Sequence, residues 1–177
     1  VYLEVGVYAG ATFCAAVQNN DMVAAYANDN WSQPDLQPAR EDINLTLENV
    51  TVDTFVQNLQ ENITTDSLDF DIQVLNGDSS KLGKKDFKHD VNIIFYDGDN
   101  SEHKMREFFL NMMDFTEDVF TLVVDDANIQ ENVAITKRFI DAMGLKVLYE
   151  RELLNDQEDI SMWWNGLYVV VLSKSGL

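Results

Sequence analysis

The sequence predicts an α/β fold with a largely parallel sheet covered by helices on both faces. Two observations support this prediction. Short β-rich runs alternate along the chain with segments of helical periodicity, and the runs are apolar almost throughout, which is typical of strands buried on both faces. The chain has 177 residues, of which 46% are hydrophobic. This is enough for the core of one domain, so we expect a single domain over residues 1–177.

Seven strands and four helices are predicted in order. The strands are Tyr2–Val5, Met22–Ala27, Phe70–Leu75, Val91–Tyr96, Thr121–Val124, Lys146–Tyr149 and Leu167–Leu172. Apolar residues at helical spacing predict the helices Ala11–Val17, Val52–Ile63, Met105–Met113 and Gln130–Met143. Only an acidic connection with Trp163 and Trp164 joins the last two strands, which favours an antiparallel return strand at one sheet edge.

The charge of the chain argues against several classes of partner. Twelve Lys and Arg against 31 Asp and Glu give a net charge of −19. Such a surface repels phosphate backbones and anionic membranes, so we expect neither nucleic acid nor membrane as a partner. The one basic cluster (Lys81, Lys84, Lys85 and Lys88) fits a solvated loop. Self-association into a homo-oligomer is left open.

The single cysteine and the first residues bear on compartment and completeness. Cys14 cannot form an internal disulfide, which favours a reducing, cytoplasmic setting. The chain opens directly on a strand-like run at Val1. We therefore expect that an N-terminal lid segment is missing from it.

Carboxylates lie at the ends of four of the first five predicted strands. They are Asp29, Asp78, Asp97 and the pair Asp125 and Asp126. In open α/β sheets, ligands bind at the carboxyl ends of the strands. Four strand ends with acids at the same sheet edge therefore predict a functional site.

The loop after the first strand adds a second signal. Glu4 is followed by Gly6 and Gly10, a G-x-x-x-G spacing that permits close backbone approach to a ligand ahead of a helix N-terminus. Asp29 stands at the end of the second strand, where an acid can accept both ribose hydroxyls. Tyr8 occupies the place of the second glycine of G-x-G-x-x-G, which disfavours a nicotinamide dehydrogenase.

Five segments in this order resemble class I S-adenosylmethionine-dependent methyltransferases, in the small-molecule, O-methyltransferase-like branch. They are YLEVGVYAGAT at 2–12, NDNWS at 28–32, NGDS at 76–79, IFYDGD at 94–99 and VVDD at 123–126. The resemblance implies a Rossmann-like seven-stranded mixed sheet with strand order 3-2-1-4-5-7-6 and strand 7 antiparallel. It also implies S-adenosylmethionine as the cofactor.

The same resemblance implies a role for each matching residue. The loop of Gly6, Val7, Tyr8 and Gly10 would cradle the methionine part of the cofactor, with Glu4 beneath it. Asp29 would bind the ribose hydroxyls, with Trp31 beside the adenosine, and Asp78 and Ser79 would contact the adenine. Asn30 is a further predicted cofactor contact, and Asp97 would lie next to the reactive methyl group.

One position departs from the family pattern. Relatives have His after D-G-D, whereas this chain has Asn100, which cannot act as a base. His103 lies three residues later and is the alternative catalytic candidate beside Asp97. A capping or solvent-facing histidine is the other interpretation.

The acids after the fourth and fifth strands also predict a Mg²⁺ site. Adjacent parallel strands would bring Asp97, Asp125 and Asp126 to one edge, and carboxylate oxygens suit Mg²⁺. Metal-dependent O-methyltransferases look similar here, but they have Asn in place of Asp126 and Lys in place of Asn100. In the alternative, Asp97 faces the cofactor and Asp125 and Asp126 only cap the loop after the fifth strand.

The predicted function is methyl transfer from S-adenosylmethionine to a small molecule, at a hydroxyl group. The alternative is a catalytically inactive cofactor-binding or interaction module. Methylation of DNA or RNA is disfavoured by the charge and by the absence of an N/D-P-P-Y/F tetrapeptide after the fourth strand.

Overall fold

A computed structural model of the protein describes residues 1–32, 50–63, 69–155 and 165–175. The strands are β1 (Tyr2–Val5), β2 (Ala24–Asp29), β3 (Asp71–Asn76), β4 (Val91–Tyr96), β5 (Thr116–Asp125), β6 (Lys146–Leu153) and β7 (Leu167–Ser173). The helices are α1 (Ala11–Val17), α2 (Val52–Asn62), α3 (Glu102–Met112) and α4 (Gln130–Ala142). Short 3₁₀ turns cover Ser79–Lys81 and Lys84–Asp86. Trp163 and Trp164 lie outside the described residues.

The seven strands form one mixed sheet in the order β3-β2-β1-β4-β5-β7-β6. The first five strands pair in parallel. The strand β7 inserts between β5 and β6 and runs antiparallel to both. The predicted fold class, strand order and antiparallel strand 7 are confirmed.

Three strands differ from their predicted bounds by two residues or more, and β3 and β7 differ by one. β2 begins and ends two residues later than predicted, so that Asp29 is its last residue and pairs with Asn76 of β3. β5 begins at Thr116 and not at the predicted Thr121, because the polar residues Glu117 and Asp118 interrupt the apolar pattern at its start. β6 continues to Leu153 because its second half pairs with β7 in spite of its charged sequence.

Helices cover both faces of the sheet and form two separate cores. On one face, Phe108 of α3 and Phe139 of α4 pack against strand residues such as Ile94. On the other, Phe13 of α1 and Phe55 of α2 pack against residues of β1 and β2. Among the described residues, no helix is both long enough and apolar enough to cross a membrane.

This topology positions the site. The parallel strands β1 to β5 end at the same edge, and the loop after β1 contacts the end of β4 directly. A Cβ atom on Gly6 would lie 1.9 Å from the carbonyl oxygen of Asp97. Gly6 also has φ +87°, which side-chain-bearing residues rarely adopt. Glycine is therefore needed here for both conformation and space.

Candidate functional site

A cavity of about 560 Å³ opens at the carboxyl edge of the sheet. Its described lining comes from the ends of four strands and from α3: Val5, Gly6, Tyr8, Asn28, Asp29, Asn30, Trp31, Ser32, Gly77, Asp78, Ser79, Asp97, Gly98, Asp99 and Lys104. Eight of the predicted site residues lie in this lining: Gly6, Tyr8, Asn30, Trp31, Asp29, Asp78, Ser79 and Asp97. The structure thus brings most of the predicted cofactor residues together around one cavity.

Three predicted cofactor residues stand behind the lining. Val7 is buried in the core beside α1. Gly10 ends the loop with φ +90°, and a Cβ atom there would lie 2.8 Å from the Phe55 ring. Glu4 is fully buried in β1 and accepts hydrogen bonds from the hydroxyls of Tyr2 (2.6 Å) and Thr12 (2.5 Å). These residues shape the loop rather than line the cavity.

Asp29 holds two loops in place with its carboxylate. One oxygen accepts the backbone N–H of Tyr8 at 2.8 Å, and the other accepts that of Trp31 at 2.7 Å. The indole N–H of Trp31 in turn donates to the backbone oxygen of Tyr8 at 2.9 Å. Tyr8 and Trp31 have φ of 47° and 43°, a strained conformation for residues other than glycine. Asp29 therefore stabilises a strained part of the cavity wall.

Asp78 is paired with a lysine that the sequence analysis did not identify. The Lys104 ammonium donates to Asp78 Oδ2 at 2.6 Å and to the Ser80 hydroxyl at 3.2 Å. The other carboxylate oxygen of Asp78 accepts the backbone N–H of Ser80 at 2.9 Å. The hydrogen bond from Lys104 is the main cause that lowers the pKa of Asp78 to about 2. Asp78 is thus held in its ionised form.

Asp97 has the opposite environment. Burial, followed by repulsion from Asp125 and Asp126, raises the pKa of Asp97 to about 8. Among the described residues, no side chain or backbone group donates a hydrogen bond to its carboxyl group, and no cation pairs with it. A carboxyl group in the cavity wall is therefore left without a positive partner.

Two further acids near Asp97 share this environment. Burial is also the main cause that raises the pKa of Glu4 to about 7, although hydrogen bonds from Thr12 and Tyr2 oppose the shift. Burial likewise raises the pKa of Asp125 to about 6. Glu4, Asp97 and Asp125 form an acidic centre at the ends of β1, β4 and β5, and no cation in the described part of the chain pairs with it.

The predicted Mg²⁺ site receives no support from the arrangement of its donors. The carboxylate of Asp126 accepts hydrogen bonds from the side-chain amides of Asn100 (2.9 Å) and Asn165 (2.8 Å). Asp125 accepts from the backbone N–H of Asp126 at 2.8 Å. Within the ranges that the structure describes, no group of three or more His, Cys, Asp or Glu residues is placed to hold a metal ion. Asp126 serves as a hydrogen-bonding centre for loops instead.

His103 lies away from the cavity lining. It is exposed on the first turn of α3, while Lys104, the next residue, faces the cavity. The structure therefore offers Asp97, and not His103, as the titratable group of the cavity wall near neutral pH.

Two features escaped the sequence analysis. A signal for Lys104 was available, because a cation in the first turn of a helix opposes the helix dipole and needs a reason. The second feature is the hydroxyl of Tyr8, which is buried with no hydrogen-bond partner in the described structure. No sequence pattern reports such an atom.

Comparisons with known proteins support the fold. No family model matches the chain, and no curated protein matches it in sequence. Among solved structures, a proposed RNA methyltransferase from Pyrococcus horikoshii superposes with a TM-score of 0.58 at 14% identity, over 97% of this chain and 73% of that one. The N-methyltransferase NodS from Bradyrhizobium japonicum, solved with S-adenosyl-L-homocysteine, gives 0.57 at 11% identity, over 97% and 76%.

A third solved structure is similar to the same degree. The precorrin-6y C5,15-methyltransferase from Geobacter metallireducens has a TM-score of 0.59 at 12% identity, over 97% of this chain and 78% of that one. The chain therefore has the fold of these methyltransferases. Their acceptors differ in class, so the likeness does not name an acceptor for this protein.

Proposed function

We propose that this protein is an S-adenosylmethionine-dependent methyltransferase that acts on a hydroxyl group of a small molecule. The observation that carries the proposal is the unequal charge of one cavity. Its Asp78 wall is already neutralised by Lys104 at 2.6 Å, whereas its Asp97 wall is an acid without a cation among the described residues. S-adenosylmethionine has a neutral adenine at one end and a positive sulfur near the other, which matches this pattern.

The acidic centre of Glu4, Asp97 and Asp125 fits a positively charged ligand. Burial and repulsion from nearby acids raise the pKa of each of these carboxyl groups, and a positive charge beside them would offset both effects. The donors are not placed for a metal ion, so a cationic sulfur is the charge that best suits the site. Asp97 is the acid of this centre that lines the cavity.

The other wall fits an adenosine. Each oxygen of Asp29 accepts one backbone N–H, and each has a second lone pair that remains for a ribose hydroxyl. Trp31 presents an aromatic ring beside it, in contact with Phe55 at a centroid distance of 5.9 Å. The cavity volume of about 560 Å³ is in the range of roughly 300–1,000 Å³ that is usual for small-molecule sites.

Asp97 is the group that we assign to proton transfer. When bound, the cofactor supplies a methyl group on a cationic sulfur and leaves as S-adenosylhomocysteine. The acceptor oxygen gains the methyl group and must lose its proton. A positive charge beside Asp97 favours its carboxylate form, and a buried carboxylate whose pKa is near neutrality is suited to accept that proton.

A small-molecule acceptor is favoured over RNA by charge. The solved structures of this fold include a proposed RNA methyltransferase and a precorrin methyltransferase. A net charge of −19 opposes the approach of a polyanion. We therefore assign a small molecule as the acceptor and test RNA as the contrasting case.

One observation favours a second function, a catalytically inactive cofactor-binding module. Asn100 stands after D-G-D, and its side-chain amide is engaged with Asp126 at 2.9 Å. An amide of this kind supplies no base. Under this alternative the cofactor would bind and no methyl group would be transferred.

The first test is calorimetric titration with S-adenosylmethionine and S-adenosylhomocysteine. We expect dissociation constants in the low micromolar range or better, and a stabilisation of about 2.7 kcal/mol at 100 times the dissociation constant. The second test incubates the protein with methyl-tritiated cofactor and a panel of phenols, sugars and other alcohols, with transfer RNA as a separate arm.

Each result has a defined meaning. Label in a small molecule supports the enzyme, and label in RNA alone contradicts the acceptor class. Binding without transfer to any acceptor supports the inactive module. Absence of both binding and thermal shift at millimolar ligand contradicts the proposal. Asp97→Asn should abolish transfer, whereas Asp114→Asn, an equal change of charge at an exposed turn before β5, should not.

A further inference from the structure

The side chain of Lys104 in α3 contacts the cavity wall formed by Asp78 and the 3₁₀ turn Ser79–Lys81. Its ammonium contacts Asp78 Oδ2 at 2.6 Å and the Ser80 hydroxyl at 3.2 Å, while Glu107 of the same helix is farther away at 3.8 Å. Its side chain is only 26% exposed. The lysine is therefore directed towards the turn and not towards solvent.

The contacts fix both oxygens of the Asp78 carboxylate. Oδ1 accepts the backbone N–H of Ser80 at 2.9 Å, and Oδ2 accepts the ammonium of Lys104. A carboxylate held at both oxygens cannot rotate freely about its Cβ–Cγ bond. Its remaining lone pairs keep a constant direction at the cavity wall.

A second residue of α3 binds the turn Ser79–Lys81 and makes no contact with the Asp78 carboxylate. The side-chain amide of Asn111 donates to the backbone oxygen of Ser80 at 2.7 Å. Asn111 therefore holds the turn alone, whereas Lys104 holds both the turn, through the Ser80 hydroxyl, and the carboxylate of Asp78. This separation makes the contribution of Lys104 measurable.

We propose that Lys104 is a positioning residue for recognition of the purine 6-amino group, which it orients through Asp78, so that the site selects adenosine over inosine ligands. The inference rests on the proposed function. An amino group donates to the fixed carboxylate, whereas the 6-oxo group of hypoxanthine is an acceptor and would face a negative oxygen. The Asp78 side chain is 39% exposed without a ligand, and a bound purine would cover it, so an analogue that brings no donor to its carboxylate should bind more weakly.

The test compares S-adenosylhomocysteine with its deaminated analogue, S-inosylhomocysteine, by calorimetry. We expect the wild type to prefer the adenosine ligand by at least ~30-fold, because a hydrogen bond to a charged acceptor is gained for one ligand and a repulsion is added for the other. Lys104→Met should reduce this preference to less than ~5-fold, chiefly by weakening the adenosine ligand. Lys104→Arg should restore most of it, since Arg also donates to a carboxylate.

Asn111→Ala is the matched control. It loosens the same turn from the same helix but leaves the Lys104–Asp78 pair intact. We expect it to weaken both ligands by the same factor, so that the preference is unchanged. The thermal midpoint of each variant establishes that it is folded before it is titrated.

Failure of the inference differs from failure of the proposed function. If the wild type binds neither ligand, the proposed function is wrong and the inference falls with it. If the wild type binds the adenosine ligand but Lys104→Met lowers both affinities equally, Lys104 is only structural and the proposed function stands. Equal affinity of the wild type for both ligands would likewise overturn the inference alone.

Discussion

Asp78 and Asp97 are both aspartates that line the same cavity, after β3 and after β4. Their electrostatic states are nevertheless opposite. The pKa of Asp78 is lowered to about 2 because Lys104 donates to its carboxylate. The pKa of Asp97 is raised to about 8 because it is buried and has other acids near it. One is ionised at every physiological pH, and the other is largely protonated at pH 7.

The protein supplies a counter-charge to Asp78, whereas at Asp97 we infer that the counter-charge comes from a ligand. Under the proposed function, the adenine that would bind beside Asp78 brings no cation, and Lys104 supplies the counter-charge at that wall. A cationic sulfur would bring its own charge, and no cation among the described residues pairs with Asp97. The acidic centre of Glu4, Asp97 and Asp125 is thus unfavourable in the ligand-free protein and becomes favourable when a cation binds.

The largest effect that we predict is on the pH dependence of cofactor binding. A cation near Asp97 favours its ionised form, so binding must release the proton that this group holds below pH 8. The affinity for S-adenosylmethionine should rise with pH by up to ~10-fold per unit between pH 6 and 8 and level off above. The neutral sulfur of S-adenosylhomocysteine should produce little of this rise.

The quantity to measure is the ratio of the two dissociation constants, because both ligands share the adenosine and amino-acid groups. Calorimetry at pH 6, 7, 8 and 9 gives this ratio directly. In Asp97→Asn the ratio should become nearly constant, and in Asp114→Asn it should follow the wild type. If the wild-type ratio did not change with pH, the inference that Asp97 is protonated in the ligand-free protein and ionises when a cation binds would be wrong.

A smaller effect concerns the stability of the ligand-free protein. A folded-state pKa of about 8 for Asp97 lies above that of the unfolded chain, so the folded state holds a proton that the unfolded state releases. Stability should therefore fall as pH rises from 6 to 8, by on the order of 1–2 kcal/mol, and change less above pH 8. The raised pKa values of Glu4 and Asp125 act in the same direction.

Urea unfolding at these pH values measures the change. Asp97→Asn removes the ionisable group and should be more stable than the wild type at pH 8, with a smaller loss between pH 6 and 8. If Asp97→Asn proved less stable than the wild type at pH 8 without ligand, burial of that carboxyl group would not be the cost that we infer.

Much of the fold and part of the site could be predicted from the sequence. Apolar runs and helical spacing locate the elements, because burial on both sheet faces leaves a local pattern. The start of β5 and the end of β6 could not be found in this way, since backbone pairing defines them. Thr116 pairs with Val91 of β4, and Glu152 pairs with Tyr168 of β7.

The site was predictable where it depends on chain order and not where it depends on distant pairing. The ends of parallel strands meet at one edge whatever their side chains are, so Asp29, Asp78 and Asp97 could be placed together. Lys104 is 26 positions from Asp78, and only the packing of α3 on the 3₁₀ turn brings the two together. The Mg²⁺ prediction counted three acids but could not foresee that Asn100 and Asn165 bond to Asp126.

The smallest effect that we predict concerns Tyr8, which lies in the loop after β1 and lines the same cavity. Its hydroxyl is buried without a partner in the described structure, and an unsatisfied buried group costs about 1–3 kcal/mol. Tyr8→Phe leaves the backbone contacts to Asp29 and Trp31 unchanged. We therefore expect the ligand-free variant to be as stable as the wild type or more stable by up to ~1 kcal/mol.

Binding should change in the opposite direction. If the Tyr8 hydroxyl donates to the bound cofactor, its loss weakens S-adenosylhomocysteine by about 3–10-fold, the value of one neutral hydrogen bond. Tyr149→Phe, at an exposed position of β6, is the control and should change neither property. A ligand-free Tyr8→Phe less stable than the wild type by more than ~1 kcal/mol would mean that the hydroxyl already has a partner within the protein. It would then belong to the fold, as the Asp29 contacts do, and not to the part of the cavity that a ligand completes.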